Sequence, residues 1–151
     1  MTATELLGRY EAGERDFSRV VLLAADLTKA NLSGINLRGA DLRSTNLEET
    51  NFEGADLGGA NLELANLRKS KLSGVVLSAA NLRKANLRKS NLERADLRGA
   101  NLRGGNLTKA NLNGANLKWA DLRNVDITGA DLTDTNLDGA YLNGIIGLEL
   151  G

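Results

Sequence analysis

The chain has 151 residues with 19 basic and 19 acidic side chains, and it contains no proline, cysteine or histidine. Without cysteine there is no disulfide framework, thiolate zinc site or thiol nucleophile, and without histidine the commonest general base and metal ligand are missing. Residues 1–20 are too charged for a secretory segment and no apolar run approaches the roughly 18 residues of a membrane helix, so a cytoplasmic protein with no membrane partner is expected.

The first predicted element is a short helix within TATELLGRYEAG, residues 2–13. Thr4 is its expected cap, Leu6, Leu7 and Tyr10 share one face, and Gly13 ends it. Residues 1–14 are therefore expected to cover one end of the unit formed by residues 15–144. The run VVLL at 20–23 sets Val21 and Leu23 at outward positions, where this helix is expected to shelter them.

From Phe17 to Leu142 a large apolar residue returns at every fifth position, 26 times without interruption, and only Phe17, Phe52 and Ile127 are not leucine. A step of five rotates about 140° around an α-helix, and an odd step changes face on a flat strand. Neither lets these residues share a core. A chain that turns a corner after each short extended piece does, with Phe17, Phe52, Leu57, Leu77, Leu97 and Leu117 pointing inward. Two positions before each centre stands a small residue, as at Ala40 and Ala55, and just before it Asn or Asp in 22 of the 26 repeats. Gly follows two positions after the centre in 11 repeats, where it supplies positive φ for a tight turn. Turn chemistry also accounts for the Asn and Asp residues better than a metal ladder does. Small polar residues at inward positions (Thr45, Thr50, Ser70, Ser90, Thr135) are expected to bond core carbonyls.

The last segment, 145–151, carries Ile145, Ile146, Leu148 and Leu150. It reads as a second lid or as the seam of a homodimer formed through the C-terminal end.

The unit A-(N/D)-L-x-x, as in Ala80-Asn81-Leu82 and Ala95-Asp96-Leu97, resembles the pentapeptide-repeat family over residues 15–144. The resemblance implies an all-β fold, a right-handed quadrilateral β-helix with four repeats per coil, here about 6.5 coils and roughly 30 Å of rod at about 4.8 Å per coil. It also implies bacterial relatives, many without an assigned role.

With four repeats per coil, residues twenty apart stack into columns. One column holds Arg43, Glu63, Arg83, Arg103 and Arg123; the next side carries Glu48, Arg68 and Arg88 beside Glu49, Lys69, Lys89 and Lys109. Glu48 is expected over Arg68, Glu49 over Lys69, and Glu63 between Arg43 and Arg83. Charge is segregated along the rod: 6 basic and 11 acidic residues in 1–67, 13 and 3 in 68–123, none and 5 in 124–151. The candidate basic face is Arg83, Lys84, Arg88, Lys89, Arg103 and Lys109. Trp119 is also expected outward. Its indole either lies over Gly99 and Gly139 or joins Tyr141, Ile145 and Ile146 as a contact patch.

An interior filled with Leu and Ala offers no pocket, so an enzyme is not expected, nor a cofactor. The expected function is a non-catalytic scaffold whose charged columns bind a protein partner. The alternative is weak binding of nucleic acid or another polyanion by the basic belt. The resemblance offers a third reading, a DNA-mimic modulator of type II topoisomerase. A 30 Å mimic wants on the order of 18 negative charges, and the zero net charge disfavours it.

Overall fold

The computed structural model describes residues 1–148, so Leu150 of the apolar tail lies outside the described residues. Parallel β-bridges join residues twenty apart in an unbroken series from Asp16↔Asn36 to Asp126↔Ile146. Each repeat contributes one bridging residue, so four repeats complete a coil and the solenoid has four sides. We number the sides by the centres of the first coil: Phe17, Leu22, Leu27 and Leu32.

Each corner is closed by one backbone hydrogen bond, from the small residue to the carbonyl of the preceding centre, as in Ala40 to Leu37 at 3.0 Å. The residue two after the centre takes positive φ in every repeat. Eleven of these are glycine, but 15 are not, and they include Lys29, Leu64, Lys84, Lys89 and Trp119. One negative and one positive φ across the two corner residues is the pattern of a type II turn, which favours glycine at its second position. Stacking therefore imposes the left-handed conformation even where the side chain resists it. The Asn or Asp before each centre braces the same corner. All 22 accept a hydrogen bond at Oδ1 from the backbone N–H two residues on.

The centres and small residues fill the bore, and Phe17, Phe52, Leu57, Leu77, Leu97 and Leu117 are all buried. The inward hydroxyls find carbonyls, Thr45 that of Leu42 at 2.6 Å and Thr50 that of Leu27, one coil back, at 2.8 Å. Ser70, Ser90 and Thr135 do likewise. Burial fades at the far end, where Leu132, Leu137 and Leu142 are only partly covered.

Helix α1 spans Ala3–Glu11. Its cap is Thr2, whose hydroxyl accepts from the N–H of Glu5 at 3.1 Å, while the expected cap Thr4 lies inside the helix. Leu6 and Tyr10 join the core, and the Tyr10 hydroxyl donates to the carbonyl of Ser33 at 2.7 Å. Arg9 pairs with Glu14 and stands over the Phe17 ring. Val21 and Leu23 are not sheltered: they are 52% and 51% exposed. Strand alternation turns them outward on either side of buried Leu22, whereas α1 turns its apolar side to the core.

Candidate interaction surface

The middle coils sort their arginines by the residue two positions earlier. Where the repeat reads Asp-Leu-Arg, the guanidinium folds back onto its own carboxylate with two hydrogen bonds. Arg98 bonds Asp96 at 2.8 and 2.8 Å, and Arg123 bonds Asp121 at 2.9 and 2.7 Å. Arg43 does the same on Asp41. These bonds hold the carboxyls of Asp41, Asp96 and Asp121 below the usual carboxylate range. Where the repeat reads Asn-Leu-Arg the amide offers no charge: Arg38 and Arg68 reach Asp56 and Glu48 in neighbouring coils, whereas Arg83 and Arg103 have no carboxylate at ion-pair distance.

Other pairings depart from simple stacking. Arg68 does meet Glu48, at 2.9 Å. Glu49 lies 3.9 Å from Lys29, on the other side of it from Lys69. Glu63 forms no ion pair with Arg43, because Asp41 already holds that guanidinium.

Among the described residues, Lys69, Arg83, Lys84, Arg88, Lys89, Arg103 and Lys109 have no carboxylate at ion-pair distance. They occupy the second and third sides, which adjoin. Arg88 spends one donor on the Thr108 hydroxyl at 2.9 Å. The Lys89 ammonium is pushed below its ordinary pKa, chiefly by Lys109 and then by Arg88 and Lys69. All six residues of the expected basic face therefore lie on adjoining sides. Asp-Leu-Arg marks the arginines neutralised within their own repeat, but Asn-Leu-Arg alone does not mark an open one, since Arg38 and Arg68 share it and are paired.

The C-terminal residues come together less well. Trp119 is 58% exposed, with Lys118 Nζ 4.2 Å above its ring, and Tyr141 is 61% exposed beneath Arg123. Ile146 is exposed on the third side, whereas Ile145 sits at a small-residue position and packs against the core. Ile145 thus leaves the expected patch, because its place in the repeat points inward.

The model for pentapeptide repeats matches eight copies between residues 16 and 146. The chain belongs to the pentapeptide repeat family. Members of this family fold as right-handed quadrilateral β-helices and are in general structural or interaction proteins, not enzymes. A similar solved structure is the pentapeptide repeat protein Rfr23 from the cyanobacterium Cyanothece 51142, with 31% identity, coverage of 95% of this chain and 99% of that one, and a TM-score of 0.70. The pentapeptide repeat protein alr5209 from Nostoc PCC 7120 is 42% identical, over 83% of this chain and 80% of that one, with a TM-score of 0.30. QnrB1, a plasmid-mediated fluoroquinolone resistance protein, shares the fold alone, at 18% identity over 87% and 82% of the two chains and a TM-score of 0.51. No curated protein matches the chain significantly.

Proposed function

We propose that this pentapeptide repeat protein is a non-catalytic interaction rod that holds an acidic protein partner on its second and third sides. In this reading residues 1–14 cap a rod of about 6.5 coils formed by 15–144, at four repeats per coil. The supporting observation is that Arg83, Lys84, Arg88, Lys89, Arg103 and Lys109 share two adjoining sides with no carboxylate at ion-pair distance, while Arg43, Arg98 and Arg123 are neutralised within their own repeats. Four of the open cations, Lys69, Lys84, Lys89 and Lys109, also occupy positive-φ corners where glycine is less strained.

The test is fluorescence anisotropy of labelled poly-glutamate titrated with the protein at about 50 and 200 mM salt. Saturable binding, lost in the triple variant Arg88→Glu, Lys89→Glu, Arg103→Glu with circular dichroism unchanged, supports the reading. Absence of binding at the lower salt rejects it.

A second reading, nucleic-acid binding, is favoured by the Lys69, Lys89, Lys109 column, a continuous cationic line along one side. Duplex DNA in the same titration separates the two, since phosphate contacts give a steep salt dependence. A two-fold contact through the C-terminal end is a weaker reading. Residues 124–148 carry Asp126, Asp131, Asp134 and Asp138 and no basic residue, so two copies meeting there repel.

A further inference from the structure

The second side has an apolar feature that the charge reading does not use. Leu23, Ala24, Arg43, Ser44, Glu63 and Leu64 line an open groove of about 400 Å³. Leu23 and Leu64 stand at its two ends, 51% and 55% exposed, with Ala24 and Ser44 between them. Leu64 sits at a corner with φ 61°, so it is strained as well as exposed. The corner needs no side chain, because Gly39, Gly54 and Gly59 close the same turn elsewhere. A strained apolar residue that is more than half exposed and that the turn does not require points to a role outside the fold.

The groove continues directly into the open cations. Lys84 stacks one coil beyond Leu64, Arg83 one coil beyond Glu63, and Arg103 one coil further. At about 4.8 Å per coil and about 3.3 Å per residue of extended chain, roughly three residues lead from Leu64 to Arg103.

We infer that this side is a docking track for an extended acidic protein segment led by an apolar residue, which seats between Leu23 and Leu64 while the following carboxylates lie over Lys84, Arg83 and Arg103. The inference deepens the proposed function and rests on it. The groove itself favours a polypeptide over a nucleic acid. Its one open charge is the Glu63 carboxylate, and its one cation, Arg43, is held by Asp41, so a phosphate chain gains nothing there. Glu63 also sets the polarity, since the acidic part of the segment must lie on its far side.

Two labelled peptides of equal length test this by anisotropy: two leucines followed by about six glutamates, and glutamates throughout. The leucine-led peptide is expected to bind about tenfold more tightly, the order of effect that burying one leucine gives. Leu64→Gly, which suits the corner backbone, is expected to abolish that preference and leave the all-glutamate peptide unchanged. Leu23→Ser repeats the test away from the strained corner. Equal binding of the two peptides, or a preference that survives both substitutions, overturns the docking track and leaves the charge reading standing. Failure of both peptides overturns both. A DNA duplex that binds more tightly than either peptide and is indifferent to Leu64→Gly assigns the side to nucleic acid and also overturns the inference.

Discussion

The indole of Trp119 rests on Gly139: its Cδ1 lies 2.7 Å from where a Cβ on that glycine would stand. The two residues are twenty apart, in one corner column, and the ring finds room only because the next coil has no side chain there. Gly99, on the other side of Trp119 in the same column, meets nothing within 4 Å. Gly139→Ala must therefore both displace the indole and place an alanine at φ 70°. Loss of about 1–2 kcal/mol is expected from the backbone alone, together with a red shift of tryptophan emission. Unchanged emission in a destabilised variant counts against the contact.

The same column isolates the backbone contribution. Ala79 and Gly99 are neighbours in it, with φ of 56° and 64°. Ala79→Gly is expected to stabilise by about 0.5–1 kcal/mol, because relief of the left-handed strain exceeds the added unfolded-state entropy. Gly99→Ala is expected to cost a similar amount. Urea unfolding of the pair measures both, and a destabilising Ala79→Gly contradicts the account of the corners.

The period of five was legible because every departure from it would turn a leucine out of the bore. The inward hydroxyls were legible for the same reason: Thr50 or Ser90 in a dry core must find a carbonyl. The corners were half legible. Gly34 or Gly54 announces positive φ, but Lys84 and Trp119 take it only because the coils above and below hold them there, a constraint that no local propensity encodes. Pairing was legible only in part. Glu48 over Arg68 follows from stacking, yet Arg43 prefers Asp41, two residues away on its own repeat, to Glu63 in the next coil. A short tether beats a column neighbour when both offer a carboxylate. Val21 and Leu23 show another limit: the register shows that they face outward, but not that α1 leaves them uncovered.

Depth along the rod is expected to grade the cost of a cavity. Leu97 is fully buried with coils on both sides, whereas Leu142 is partly exposed in the last coil. Leu97→Ala is expected to cost about 2–5 kcal/mol, and Leu142→Ala less than half of that. Each repeat of a solenoid contacts only its neighbours, so hydrogen exchange in Leu97→Ala is expected to accelerate most in the adjoining coils. Uniform acceleration along the chain contradicts this expectation.

Stability against pH reflects the paired aspartates and the crowded lysine, whose lowered pKa values both make stability rise with pH, in separate windows. The Asp96 and Asp121 carboxyls are held below their ordinary values, first by the guanidinium hydrogen bonds of Arg98 and Arg123. Their stabilisation is fully present above the unfolded carboxylate pKa of about 4 and is lost as pH falls through the lower folded values. The chain has no histidine, so Tm is expected to be flat between about pH 5 and 8. Lys89 is also depressed, by Lys109 first and then by Arg88 and Lys69, and a depressed lysine destabilises the fold while it is charged. That repulsion is relieved as pH rises from the folded value toward the ordinary lysine pKa of about 10.4, so Tm is expected to climb there before other groups titrate. Asp121→Asn is expected to shrink the acid loss, and Lys89→Met to remove the alkaline climb. A Tm that falls steadily above pH 8 in the unmodified protein contradicts the crowding of the third side.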